Sequence, residues 1–274
     1  MSLLEARGLG LSLPDRSGSG LFRRRLRPIL RDIDLVIEPG ESVGIVGESG
    51  SGKTSLGRTL LRLHEPTAGT LRFGGLDITH LREDRLRPLR ADVQIVFQDP
   101  LSSLNPRHRV EDILAQPLLA YGRVASRAEG RAQARALLER VHLPAAFGER
   151  YPHELSGGQR QRVGIARAIA LQPKLVVADE IVAGLDVSTQ AQILALLREL
   201  KRDDALVFIS HDLSVVRALC DRVIVLRDGA IVEQGSCAEI FDRPRQPYTR
   251  ALLDAIPLPE PEPGWVMRSA PGEG

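Results

Sequence analysis

Residues 47–54 read Gly-Glu-Ser-Gly-Ser-Gly-Lys-Thr, directly after the apolar run SVGIV (42–46) and at the head of KTSLGRTLLRLH. This GxxxxGK[ST] pattern admits few architectures. A buried strand must run into a glycine loop whose backbone N–H groups converge, and a helix must start where the loop ends. The flanks agree. Leu56, Leu60, Leu61 and Leu63 recur at helical spacing after the loop, and the preceding run has the length of a buried strand. The glycines let the backbone wrap an anion, Lys53 supplies a compact charge for β- and γ-phosphates, and the Thr54 hydroxyl suits Mg²⁺. Lysine otherwise occurs only at Lys174 and Lys201, so Lys53 is not there because lysine is common.

Other apolar runs extend the pattern. VQIVFQ (93–98), KLVVAD (174–179) and ALVFIS (205–210) read as buried strands, with a helix over 188–202. Strand and helix alternation after an early phosphate loop predicts a parallel α/β sheet. Residues 3–8, 30–37 and 69–73 read as short strands, and PDRSGSGLFRRRLRP (14–28) as a polar, basic loop or hairpin tip. Between 107 and 172 strands disappear. RVEDILAQPLLAY and SRAEGRAQARALLERVHL read as helices of an insert. RVIVLRDGAIVEQG (222–235) is a hairpin turning at Asp228-Gly229. A tail follows, proline-rich from Pro257.

Two strand ends carry chemistry. LVVADE finishes on Asp179 and Glu180, which alternate in direction along a strand and so can divide roles. Asp179 is the expected Mg²⁺ partner, through water, and Glu180 the expected general base for an attacking water. FISHD places His211 at the same sheet edge, where ligands of parallel α/β sheets bind. There it can donate to a γ-phosphate oxygen. Gln98, ending its own strand, can complete the Mg²⁺ shell. LSGGQRQR (155–162) adds a second anion grip, with small residues ahead of a helix read over Gln159 to Leu171.

Bulk properties narrow the class. A net charge of +2 gives no field that argues for nucleic acid. Cys220 and Cys237 have no metal-ligand spacing and read as two thiols in a reducing cytosol. No apolar run reaches the ~18 residues of a membrane span. MSLLEARGLG is no secretory signal.

GESGSGKT, FQDP, LSGGQ, VVADE, GLD (184–186) and His211 stand in the order and spacing of ATP-binding-cassette ATPases. The chain resembles that family over about 1–235. The resemblance implies a RecA-like P-loop core with a parallel sheet, an N-terminal antiparallel β subdomain, an inserted α-helical subdomain at about 107–172, and a C-terminal extension over 236–274. It implies ATP and Mg²⁺ as cofactors. Gly47, Glu48, Ser49, Gly50, Ser51, Gly52, Lys53, Thr54 and Ser55 would bind nucleotide. It also explains the second grip. In that family two cassettes pair head to tail, so Ser156, Gly157, Gly158 and Gln159 would hold the nucleotide bound by the partner's loop, with Asp186 at the contact. Catalysis would fall to Glu180, His211, Lys53 and Gln98, and Mg²⁺ to Thr54, Gln98 and Asp179.

A finer resemblance is to the peptide, nickel and opine importer branch. It rests on FQDPLSSLNPR (97–107), Arg58 in LGRTLLRL, and FDRPRQPYTRALLDAIP (241–257). This implies two permease subunits, an extracytoplasmic solute-binding protein met indirectly, and a peripheral place on the cytoplasmic face of the inner membrane. A soluble cassette ATPase of translation or DNA repair is the alternative. The chain departs from the family pattern at two places. Ile181-Val182-Ala183 replace the usual Pro-Thr-Ser after Glu180. The adenine-stacking aromatic is missing from its usual position, leaving Phe22 as candidate and arginine stacking as the alternative.

Overall fold

The computed structural model describes residues 2–14, 26–99, 103–200 and 204–255. Among the described residues, ten strands form two sheets. The first four-stranded sheet is antiparallel, in the order β2 (Leu26–Ile37), β1 (Leu4–Pro14), β4 (Ala68–Phe73), β5 (Leu76–Asp77). The second has the order β10 (Ala230–Ser236), β9 (Arg222–Arg227), β3 (Ser42–Val46), β8 (Ala205–Ile209), β7 (Leu175–Asp179), β6 (Val93–Val96). Its strands are parallel from β9 through β6, and β10 returns antiparallel as the hairpin.

The apolar runs are continuous because the second sheet is covered on both faces. Alternate residues divide between two cores, as a period of two requires. Val177, Val207, Ile209 and Ile45 face the core shared with the antiparallel sheet and with α1 (Lys53–Leu60). Val176, Ala178, Phe208 and Val225 face the other core. That core is built with α5 (Gly157–Ile169), α6 (Val187–Leu200) and α7 (Leu213–Leu219). Phe208 is fully buried, which is worth roughly 3 kcal/mol of apolar transfer.

Before β6 the chain makes the short α2 (Glu83–Leu86) and a 3₁₀ turn. The helical insert is led by α3 (Val110–Ala120) and α4 (Arg127–Arg140). Ser126 caps α4 by accepting from the Glu129 backbone N–H, and the Glu129 carboxylate accepts from Ala125 N–H. Glu111 on α3 is buried and faces Arg131 and Arg135 of α4 at 3.4 and 3.2 Å. A buried carboxylate is tolerated only with such partners, so this cluster fixes how the two helices pack.

The structure corrects several sequence expectations. α1 stops at Leu60 rather than at His64, because Arg62 takes a left-handed φ of +54° and the Leu63 N–H turns back to the Arg58 carbonyl. Leu63 is therefore exposed instead of joining the apolar side. β1 and β2 run to Pro14 and from Leu26, so the polar stretch begins and ends as strand ladder. β6 ends at Val96, and Phe97 and Gln98 leave the sheet. α5 begins at Gly157, two residues earlier than its apolar spacing suggests. A capping box between Ser156 and Gln159 draws both glycines into the first turn. The tail after Gly235 is structured up to residue 255, with α8 (Cys237–Asp242) and α9 (Pro247–Asp254).

Candidate active site

The phosphate loop lies between β3 and α1 and is shaped by its glycines. Gly47, Gly50 and Gly52 have φ of +148°, +81° and +104°, a region L side chains avoid. A Cβ on Gly47 would lie 2.1 Å from the Leu226 carbonyl oxygen. The loop thus rests directly on the end of β9, and the Gly229 N–H of the following turn donates to Ser51 O at 3.0 Å.

Lys53 opens α1 and is buried. Its Nζ donates to the carbonyls of Gly47 (2.7 Å) and Glu48 (2.8 Å). Burial pulls its pKa down, against the opposing pull of Glu180, Asp179 and Glu48. Thr54 donates its hydroxyl to Asp179 Oδ1 at 3.0 Å. Asp179 is buried at the end of β7, and that burial raises its pKa although the Thr54 bond and Arg58 oppose it. Two hard oxygens so placed beside the loop suit Mg²⁺, which is ordinarily held by one or two carboxylates together with substrate phosphates.

Glu180 leaves the strand at once. Its φ is +49° and its N–H donates to Ile209 O at 2.9 Å, so the backbone turns out of β7 at this residue. His211 follows β8, with Nδ1 3.6 Å from Glu180 Oε1, close but beyond hydrogen-bond length. Ile181 and Val182 are buried, anchoring the turn after Glu180.

An open cleft of about 430 Å³ is lined by Ser49, Gly50, Gly52, Lys53, Thr54, Ser55, Gln98 and Glu180, with Arg27 and Ile29 of β2. The structure therefore gathers the loop, Gln98 and Glu180, with Asp179 and His211 joined to them through Thr54 and Glu180. Phe22 lies outside the described residues. Arg27 belongs to the basic stretch 14–28, where arginine stacking is the alternative to Phe22, and the structure places it at the cleft. Ile29, two residues on along β2, has no local sequence pattern that marks it.

The second grip is elsewhere. Ser156 is the N-cap of α5, accepting from Gln159 N–H at 3.3 Å while Gln159 Oε1 accepts from Ser156 N–H at 3.0 Å. Ser156, Gly158 and Gln159 line a separate cleft with His142, Arg162 and Thr189, which shares no residue with the first. A Cβ on Gly158 would meet Thr189 Cγ2 at 2.3 Å, so α5 and α6 touch at this glycine of LSGGQ, the signature motif. Thr189 in turn donates from N–H and Oγ1 to Asp186. These bonds hold the Asp186 pKa below the usual carboxylate range. Asp186 thus belongs with the signature and not with the phosphate loop.

Comparison with known proteins agrees with this geometry. The ABC transporter family model matches residues 30–183, and the model described as oligopeptide/dipeptide transporter, C-terminal region, matches residues 232–273. A putative peptide import ATP-binding protein of Brucella ovis is 49% identical over 95% of this chain and 80% of its own length. The oligopeptide transport ATP-binding protein OppF of Escherichia coli is 45% identical over 84% of this chain and 70% of its own length. Among solved structures, a dimeric post-hydrolysis state of the ATP-binding cassette MJ0796 bound to ADP and Pi is similar at a TM-score of 0.76. It has 31% identity and covers 85% of this chain and 98% of its own. With the phosphate loop, strand-end acids and signature helix in place, the chain belongs to the ABC transporter family, as an ATP-binding and ATP-hydrolysing cassette.

Proposed function

We propose that this cassette powers a membrane importer of oligopeptides, dipeptides or a related small solute. The observation that carries this reading is the match of residues 232–273 to the oligopeptide/dipeptide transporter C-terminal region, in a chain whose relatives are named for peptide import. Residues 1–235 form the ATPase domain, with the helical insert at about 107–172, and 236–274 form the extension.

In this reading ATP binds at Gly47–Ser55. Lys53 and the loop amides hold its β- and γ-phosphates. Thr54, Asp179 and Gln98 would hold Mg²⁺, which when bound would supply positive charge to the phosphates. Glu180 takes the proton of the attacking water, and His211 donates to the γ-phosphate. Supporting these roles, all lie along one sheet edge, and Glu180 and Gln98 share the cleft with the loop.

The signature completes the site of a second cassette, either a copy of this chain or a paralogue. Its separate cleft supports that, since Ser156–Gln159 do not reach the loop of their own chain. The start of α5 aims the positive end of a 13-residue helix outward. ATP would close such a pair and hydrolysis would open it. Two permease subunits carry the solute, an extracytoplasmic binding protein delivers it, and the cassette sits peripherally on the cytoplasmic face of the inner membrane. Among the described residues no helix is long and apolar enough to cross a membrane.

Gentle affinity purification from solubilised membranes, followed by mass spectrometry, tests this. Two polytopic proteins should accompany the cassette, and its deletion should abolish uptake of labelled peptides. Recovery with ribosomal or DNA-repair proteins would overturn the transport reading.

A further inference from the structure

The C-terminal extension touches the phosphate loop. The Glu48 N–H donates to the Tyr248 hydroxyl of α9 at 3.1 Å, across 200 residues of sequence. The same peptide unit carries the Gly47 carbonyl, which accepts from Lys53 Nζ at 2.7 Å. In a trans peptide the C=O and N–H point in opposite directions from one rigid plane. The Gly47–Glu48 plane is therefore held from both sides, by Lys53 within and by Tyr248 without. Gly47 by itself offers little restraint, since glycine is the residue freest to rotate.

Tyr248 is in turn held. The Arg227 guanidinium of β9 lies over its ring, 4.9 Å from the centroid. The Glu233 carboxylate of β10 accepts from the N–H groups of Arg245 and Gln246 at 2.8 and 3.1 Å, just ahead of α9. Pro247 sits at the start of α9, where its missing N–H costs nothing. β9 also lies under the loop at Gly47. One hairpin thus carries the loop and places the tyrosine that pins it.

From this geometry we infer that Tyr248 is a positioning residue of the ATP site. It fixes the Gly47–Glu48 peptide, and through that peptide's carbonyl it fixes Lys53. The inference rests on the proposed role of the loop in binding ATP. The extension would then act directly in nucleotide affinity.

Tyr248→Phe removes the hydroxyl and leaves the ring under Arg227. In the full-length chain, binding of a ribose-labelled fluorescent ATP should weaken about three- to tenfold, the range of one hydrogen bond. The KM for ATP should rise in proportion with kcat little changed, and the melting temperature without nucleotide should stay at the parental value. In a Lys53→Ala background the same substitution should add no further loss. Parental affinity in Tyr248→Phe would overturn the inference, and so would an equal loss in the Lys53→Ala background. A purely structural role would lower the melting temperature and leave affinity alone. Parental ATP binding by Lys53→Ala would instead overturn the reading of the loop itself.

Discussion

The Thr54 hydroxyl donates to Asp179 Oδ1 at 3.0 Å, joining the first turn of α1 to the last residue of β7 across 125 positions of sequence. The bond brings the two metal-binding candidates together within the protein's own framework. It also eases, without cancelling, the burden of a buried carboxylate, since burial still raises the Asp179 pKa.

That burden gives a stability prediction. A carboxylate whose folded pKa is raised binds its proton more tightly folded than unfolded. Stability therefore falls as pH rises from the unfolded value, about 4, through the raised folded value. Asp179→Asn keeps an oxygen for Thr54 and carries no charge. Without nucleotide or Mg²⁺ it should melt above the parent at pH 7.5, with the gap narrowing as pH approaches about 4. Its ATP turnover should be lost. Thermal melts at the two pH values check the sign, and a lower melting temperature at pH 7.5 would refute it.

The separate position of the signature leads to a second prediction. Ser156→Arg places a bulky cation at the exposed start of α5, away from the phosphate loop. Hydrolysis should be abolished while ATP binding by the isolated chain is retained. Equilibrium binding of fluorescent ATP and phosphate release check this together. Loss of binding by the isolated chain would sink the shared-site account.

Gly229 supports the loop from beneath, and its replacement should be felt as stability. Its φ is +80°, and a Cβ there would stand 2.2 Å from the Ile29 carbonyl oxygen. Gly229→Ala should therefore destabilise the chain by about 1–3 kcal/mol, seen as a lower denaturation midpoint with unchanged slope. An unchanged midpoint would show that the turn relaxes without cost.

Much of this was legible in the sequence for physical reasons. Strands buried on both faces leave continuous apolar runs, so SVGIV, LVVAD and ALVFI announced the sheet, and the loop announced the helix behind it. The catalytic candidates stood out because charges ended apolar strands. Helix ends were less visible. The start of α5 is set by Ser156 and Gln159, a cap pattern present in the letters but hidden by the glycines between them. The halt of α1 depends on the conformation of Arg62, which nothing local demands. α7 is seven residues long and too short for a clear period, although Asp212 caps it. The contact of Tyr248 with Glu48 has no sequence signal, because it exists only once β9 and β10 have brought α9 to the loop.

The most direct test of the account is ATP turnover by Glu180→Gln beside the parent, in the complex purified from membranes, with bound fluorescent ATP measured in the same samples. Glu180 is the carboxylate lining the cleft beside Lys53 and Thr54, and a general base contributes about 10²–10⁴-fold. The account predicts parental ATP binding with phosphate release reduced by at least about 10²-fold. Turnover equal to the parent's would contradict it and remove Glu180 as the base.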